Sequence, residues 1–212
     1  MCAMLCKIDE KNIDMNIIKA ASDALKNGGL AVFPTETVYG IGADAFNERA
    51  LKSLYAKKQR PLDKPLLMHI CGLEMAEEIA YLDENARELI RRFSPGPLTL
   101  VVKRKPCIPE IAVSGGDTVG LRFPSNKIFI ELSKAFGKPI AATSANISGF
   151  DSAKNASELD AVKDVADIII DGGDCELGLE STIVSLVSDR PKLLRLGSFP
   201  KERLEEVLGK CD

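Results

Sequence analysis

The stretch that decides the fold covers residues 30–42 and reads LAVFPTETVYGIG. Its first four residues are apolar and predict a short buried strand, which two threonines, a glutamate and a tyrosine follow directly. The glycines let the backbone turn and approach a ligand closely. Such polar residues at a strand end indicate a pocket for a small polar ligand. A turn whose Thr and Glu side chains satisfy local backbone groups is the alternative.

Three cations follow the next predicted helix and lie among prolines: Lys58, Arg60 and Lys64. Cations at a helix end often complement the helix dipole and stay solvated. The prolines restrict the backbone here, which favours a shaped anion site, with Arg as a planar fork and Lys as a point charge. His69 lies beyond them on a predicted strand, where a lone histidine more often belongs to the core.

Two further arginines lie inside apolar strand patterns, Arg122 within residues 118–123 and Arg195 within residues 192–196. A buried cation without a partner is costly. Each arginine therefore pairs with a protein carboxylate or awaits an anionic ligand, and an edge strand would also explain Arg195. For Arg122 we favour the ligand.

A loop of small and hydroxyl-bearing residues follows another predicted strand, and residues 140–149 read IAATSANISG. Ser144, Asn146 and backbone N–H groups of such a loop can hold phosphate oxygens. Strand ends are also where ligands commonly bind in layered α/β sheets. The chain has no P-loop and no G-x-G-x-x-G signature, so a nucleotide has to be held differently.

Strand and helix patterns alternate along the first two thirds of the chain, and the last strands are close enough in sequence to pair antiparallel. The fold class predicted is α+β with α/β-type layers: a twisted mixed β-sheet flanked by helices, in a single domain over residues 1–212. Asp14, Asn47 and Ser125 are the predicted caps of the helices that follow them.

Composition excludes several classes of protein. The 212 residues are 45% hydrophobic and 28% charged, with a net charge of −3, which argues against a surface that binds nucleic acid throughout. No apolar run reaches the roughly 18 residues of a membrane span, and residues 1–11 do not resemble a signal peptide, so we expect a cytoplasmic protein. The six cysteines contain no C-x-x-C pair, which favours reduced thiols and no metal site.

Six motifs, taken together and in this order, resemble the YrdC family, the threonylcarbamoyl-AMP synthases. They are P-T-E-T-V-Y-G, K-x-R with a following K-P-L, G-L-R-F-P, T-S-A-N-x-S-G, G-x-x-S-T-I and L-R-x-G, between Leu30 and Gly197. The resemblance implies an enzyme that joins L-threonine, bicarbonate or CO2, and ATP with Mg2+, giving threonylcarbamoyl-AMP and pyrophosphate. It implies as further partners tRNA and a separate complex that transfers the threonylcarbamoyl group to it.

The resemblance also assigns roles to residues. The implied threonine-binding residues are Thr35, Thr37, His69, Arg122, Ala142 and Ser181. The implied ATP-binding residues are Arg60, Lys64, Thr118, Ser144, Ser152 and Arg195. The implied catalytic set is Lys58, Arg60, Ser144 and Asn146. Which of Thr35 and Thr37 touches threonine stays open.

Two positions depart from the family pattern: Leu196 stands where Pro is frequent, and Ser185 where an acidic residue is frequent. The first is expected to alter how Arg195 is presented. The chain resembles the short form of the family, without a further C-terminal domain.

Two other functions compete with this interpretation. An RNA-binding module could use the basic patch at residues 57–64, although the net charge disfavours it. A carbamoyl-adenylate-forming enzyme would share much of the site. The enzyme hypothesis requires Arg60, Arg122 and Arg195 to face one common cavity.

Overall fold

The computed structural model describes residues 3–212 and contains a mixed β-sheet with helices on both faces. Within this range the strands are β1 (Met4–Lys7), β2 (Ala31–Phe33), β3 (Gly40–Asp44), β4 (Leu67–His69), β5 (Ala80–Tyr81), β6 (Leu98–Arg104), β7 (Thr118–Arg122), β8 (Ile140–Ser144), β9 (Ile168–Asp171), β10 (Thr182–Ser185) and β11 (Lys192–Arg195). The helices are α1 (Met15–Lys26), α2 (Glu48–Lys57), α3 (Leu73–Ile79), α4 (Glu84–Phe93), α5 (Lys127–Phe136) and α6 (Lys201–Leu208). The predicted α+β architecture is confirmed.

The strand order across the sheet is β1-β9-β2-β3-β8-β4-β7-β6-β10-β11, and β5 pairs with β6 outside this row. β3 runs antiparallel to β2 and β8, whereas β4 runs parallel to β7 and β6 parallel to β10. β10 and β11 pair antiparallel, as expected for the last strands. Since β11 ends the row, Arg195 does lie on an edge strand.

Two of the three predicted helix caps are observed. The side chains of Asp14 and Asn47 accept hydrogen bonds from the first turns of α1 and α2, as predicted. For α5 the predicted cap Ser125 is wrong, because Asn126 accepts from the backbone N–H of Phe129 instead. The backbone N–H of Ser125 donates to the carboxylate of Glu36.

The core lies on both faces of the sheet, because successive residues of a strand point to opposite sides. Val32 of β2 packs in one apolar cluster with α2, α3, α4 and α6, whereas Phe33 packs in the other with α1 and α5. This second cluster includes buried residues of β2, β8 and β9 and, among the residues described, none of β4, β6, β7 or β10. Helices α1 and α5 therefore leave the second half of their sheet face uncovered.

Three strands, β1, β3 and β5, have no counterpart in the sequence prediction. β3 runs from Gly40 to Asp44, and apart from Ile41 its residues have low strand propensity, so the sequence predicts a turn there. It is nevertheless fully buried, because both of its neighbours pair with it. No helix within residues 3–212 is both long and apolar enough to cross a membrane.

Candidate active site

A cavity of about 310 Å³ lies on the half of the sheet face that α1 and α5 leave uncovered. Alternate residues of two strands form much of its wall: Leu67 and His69 on β4, and Thr118, Gly120 and Arg122 on β7. A Cβ at Gly120 would lie 2.5 Å from a methyl group of Leu67, so close packing requires glycine there. The cavity thus extends across the sheet face and is not confined to the strand ends, where the sequence analysis expected the ligand.

One region of the cavity, the inner end, is built around the buried guanidinium of Arg122. Its Nη2 atom donates to Thr37 Oγ1 at 2.6 Å and to Thr35 Oγ1 at 3.3 Å. Nη2 also lies 3.1 Å from Oε1 of Glu36, and both side chains of this ion pair are about 5% exposed or less. Arg122 Nε and Glu36 Oε1 have no hydrogen-bond partner in the described part of the chain. Nη2 is therefore fixed by the protein, and Nε is a buried donor that the described residues leave unpaired.

His69 lies on the wall of the inner end and is neutral at physiological pH. Burial, and then the charge of Arg122, lower the pKa of His69 to about 3, although the carbonyl of Leu67 opposes the shift. The imidazole ring packs edge-on against Phe33 and Phe129, which extends the apolar cluster of α1 and α5 to the cavity wall. His69 can thus give a ligand a hydrogen bond without adding charge.

Lys58 is 1% exposed and lies behind the cavity wall. Its ammonium donates to the carbonyl of Ser144 and, at 3.1 Å, to Oδ1 of Asn146. Oδ1 also accepts from the Ser144 hydroxyl at 2.7 Å, so three of the four predicted catalytic residues form one network. Burial, and then the charge of Arg60, lower the pKa of Lys58 to about 7, while Glu180 partly opposes this shift. Lys58 is therefore a cation whose charge changes near neutral pH.

The other region, the outer end, lies beside β10 and β11, where Glu180, Ser181 and Arg195 line the cavity, and it is partly open to solvent. The Arg195 side chain is 36% exposed and donates from Nη1 to Oε2 of Glu180. Its Nε and Nη2 atoms donate to the carbonyl and hydroxyl oxygens of Ser181. Oε1 of Glu180 accepts from the Ser152 hydroxyl at 3.0 Å. Leu196, where the family pattern often has Pro, does not prevent Arg195 from reaching the cavity.

Arg60 reaches the cavity because the chain turns sharply after α2. Gln59 adopts a left-handed φ of 51°, and the Arg60 guanidinium then donates to the carbonyls of Lys64 and Pro65. The Tyr55 hydroxyl donates to the same Lys64 carbonyl at 2.9 Å. Lys64 thus shapes this turn through its backbone, and its exposed side chain is not among the groups that line the cavity.

The structure brings most of the residues singled out from the sequence to this one cavity. Nine line it: Thr35, Arg60, His69, Thr118, Arg122, Ala142, Ser144, Ser181 and Arg195. Four more lie behind lining residues and hydrogen-bond to them: Thr37, Lys58, Asn146 and Ser152. Between the two threonines, Thr35 forms the wall and Thr37 supports Arg122. The required convergence of Arg60, Arg122 and Arg195 is observed.

Glu36 and Tyr39 belong to the polar strand end recognised in the sequence but were not among the candidate site residues, and Glu180 was missed. Glu36 and Glu180 each pair with an arginine of the cavity. Tyr39 lines the cavity, and its hydroxyl donates to the carbonyl of Gly173 and accepts from the N–H of Gly172. A buried arginine signals some carboxylate partner, but its identity depends on contacts between residues far apart in sequence.

No group of three or more metal-ligating side chains occurs between residues 3 and 212. The cysteines in this range are free thiols: Cys6, Cys71, Cys107, Cys175 and Cys211. Cys2 lies outside the described residues. The described cysteines form no disulfide, and the absence of a metal site stays a prediction.

The profile of the Sua5/YciO/YrdC family, described by the words "Telomere recombination", matches residues 23–197. The chain belongs to this family. It is 42% identical over 194 residues to the threonylcarbamoyl-AMP synthase of Pyrococcus abyssi, and the alignment covers 91% of this chain. It is 36% identical over 203 residues to a putative threonylcarbamoyl-AMP synthase of Methanocaldococcus jannaschii, with 94% of this chain covered.

A solved member of the family has nearly the same fold. The crystal structure of P. abyssi Sua5 complexed with L-threonine superposes with a TM-score of 0.96 at 40% identity, covering 99% of this chain and 62% of Sua5. Similarly, this chain spans 57% of the length of the curated P. abyssi relative, whereas it spans 96% of the M. jannaschii relative.

Proposed function

We propose that this protein forms threonylcarbamoyl-AMP and pyrophosphate from L-threonine, bicarbonate or CO2, and ATP. The observation that carries the proposal is one cavity lined by three arginines, with a buried inner end and a partly exposed outer end. The names of its relatives from P. abyssi and M. jannaschii support the same activity.

Threonine is assigned to the inner end. The guanidinium of Arg122 at the inner end suits the amino acid's carboxylate, since charge-assisted hydrogen bonds to a guanidinium are strong and directional. Neutral His69, the Thr35 hydroxyl, the backbone at Ala142 and Ser181 supply hydrogen bonds around it. The complex of P. abyssi Sua5 with L-threonine supports this assignment.

ATP is assigned to the outer end and the adjoining wall. Arg60 and Arg195 face the cavity, as do the hydroxyls of Thr118 and Ser144. Ser152 would join them from its position beside Glu180. The side chain of Lys64 is exposed and would have to swing toward the phosphates.

Mg2+ is proposed as part of the ATP substrate. Among the described lining residues Glu180 is the one carboxylate, too few ligands for a cage made by protein alone. Mg2+ usually keeps several waters and binds through substrate phosphates with one or two carboxylates. This donor set fits a metal carried by the triphosphate.

The chemistry needs no protein nucleophile. The amine of threonine adds to CO2 and loses a proton, giving an N-carboxylate. An oxygen of this group attacks the α-phosphorus of ATP, the bond to the bridging oxygen breaks, and pyrophosphate leaves. The cavity contributes by holding both reactants in line and by placing cations opposite the developing negative charge. Arg60 and Arg195 face that charge directly, while Lys58 fixes the wall at Ser144 and Asn146.

The product would pass to a complex that modifies tRNA. Two further predictions stand beside this proposal: a cytoplasmic location and a single domain over residues 1–212. No specific contact favours the RNA-binding or carbamoyl-adenylate alternatives.

Release of pyrophosphate tests the proposed reaction. Purified protein with ATP, Mg2+ and bicarbonate should release pyrophosphate only when threonine is added, and serine should substitute poorly. Threonine-independent release would contradict the proposal and indicate another adenylate-forming activity. Tight tRNA binding with a steep salt dependence and no pyrophosphate release would favour the RNA-binding module.

A further inference from the structure

Glu180 is the one acidic side chain among the described residues that line the cavity, where the other charged groups are Arg60, Arg122 and Arg195. Its carboxylate accepts from the Ser152 hydroxyl through Oε1 and from Arg195 Nη1 through Oε2. Its charge also partly offsets the lowering of the pKa values of Lys58 and Arg60, which burial causes. Glu180 therefore interacts with four of the residues assigned to ATP binding or catalysis.

The contacts of Glu180 use the donors that a phosphate would need. Carboxylate and phosphate oxygens are both anionic acceptors, and both pair with arginine and hydroxyl donors in the same way. The Arg195 guanidinium also donates to the carbonyl and hydroxyl oxygens of Ser181. A phosphate that accepts from the single O–H of Ser152 and from the Nη1–H that Glu180 now holds has to displace the Glu180 carboxylate.

The local structure allows this displacement without moving the backbone. The carbonyl of Glu180 accepts from both the N–H and the hydroxyl of Ser198, and Gly197 packs against it so closely that a Cβ there would lie 2.2 Å from the Glu180 oxygen. The Glu180 side chain, in contrast, is 37% exposed. A fixed backbone with a partly solvated side chain suits a carboxylate that changes rotamer when an anion arrives.

We propose that Glu180 is an internal competitor of the phosphate chain, holding Ser152 and Arg195 until a phosphate displaces it and reclaiming them when pyrophosphate leaves. This inference rests on the proposed assignment of ATP to the outer end. It makes Glu180 a residue that limits how tightly the polyanionic product is held, which favours release of pyrophosphate after the adenylate has formed.

Titration calorimetry with pyrophosphate, in EDTA so that no metal bridges the groups, tests the competition. Glu180→Gln should bind pyrophosphate about three- to ten-fold more tightly than the unmodified protein, because it removes one carboxylate charge from a partly solvated site. Glu180→Ser should tighten binding by a comparable factor. Glu176→Gln is the matched control, since Glu176 is exposed four residues away; its affinity should stay within about two-fold of the unmodified protein.

Equal or weaker binding by both Glu180 variants, with unchanged circular dichroism spectra, would overturn the competition while leaving the ATP site standing. An equal gain in Glu176→Gln would also overturn it, because general charge reduction would then be the cause. Absence of pyrophosphate binding in the unmodified protein and in the Glu180 variants would contradict the proposed ATP site and this inference with it.

Discussion

Arg122 and Arg195 face the same cavity from contrasting environments. Arg122 lies on an interior strand, 4% exposed, and is held by Glu36, Thr35 and Thr37. Arg195 lies on the edge strand, is about one-third exposed, and shares its guanidinium between Ser181 and Glu180. The guanidinium of Arg122 is held by buried partners, whereas that of Arg195 has a partly solvated partner that can exchange. The two ends of the cavity should therefore respond differently to substitution, pH and salt.

Removing the carboxylate partner of each arginine should produce the largest difference between the two ends. Glu36→Ala leaves the Arg122 charge buried and uncompensated, which should lower the free energy of unfolding by about 3–5 kcal/mol. Glu180→Ala breaks a partly exposed pair and should cost about 1 kcal/mol or less. Urea unfolding followed by circular dichroism measures both. An equal loss of unfolding free energy in the two variants would mean that the inner end is not the more strongly constrained one.

Because Lys58 titrates near neutral pH, the use of ATP at the outer end and its adjoining wall should depend on pH, whereas ligand binding at the inner end should not. The pKa of Lys58 is lowered to about 7, so its charged fraction falls about five-fold between pH 7 and pH 8. If the charged form supports phosphate binding, kcat/KM for ATP should fall by a similar factor over this interval. Lys58→Arg, which stays charged, should lose this fall even if its activity is lower. A flat profile in the unmodified protein would contradict a role for the Lys58 charge.

Salt concentration should affect ligand binding differently at the two ends, and this effect should be smaller than those described above. Raising NaCl from 50 to 500 mM should weaken ATP binding roughly three- to ten-fold, because the cations of the outer end are partly solvated and therefore screened. Threonine binding should change less than about two-fold, since zwitterionic threonine carries no net charge and Arg122 is buried. Calorimetric titrations at both salt concentrations measure the difference. Similar salt dependence for the two ligands would remove the distinction between the ends.

Much of this structure could be predicted from local sequence. The caps Asp14 and Asn47 and the mixed sheet were predictable because capping and strand patterns act locally, whereas the convergence of the three arginines was implied by the family resemblance. The choice of Asn126 over Ser125 was not, because adjacent residues of equal capping strength are distinguished by packing. Residues 40–44 were also misassigned, since burial between two neighbouring strands outweighs their weak strand propensity.

The pairing of carboxylates was the main part of the site that the sequence could not supply. Glu36 lies within a motif singled out for its hydroxyls, and Glu180 adjoins a predicted strand start. The sequence does not reveal that these carboxylates pair with Arg122 and Arg195. Their arginines are 86 and 15 positions away, and only the sheet order brings Arg122 beside Glu36. Lys64 shows the reverse case, because a cation expected to act through its side chain contributes through its carbonyl.

The measurement that tests the account most directly is a set of threonine and ATP affinities for Arg122→Lys and Arg195→Lys, with exposed Arg49→Lys as the control. Lysine keeps the charge but loses the planar fork. Arg122→Lys should weaken threonine binding roughly 30–100-fold and ATP binding less than about three-fold. Arg195→Lys should weaken ATP binding about ten-fold and leave threonine binding nearly unchanged. If both variants lose affinity for the same ligand, the result would contradict a cavity with separate binding sites for an amino acid and a triphosphate.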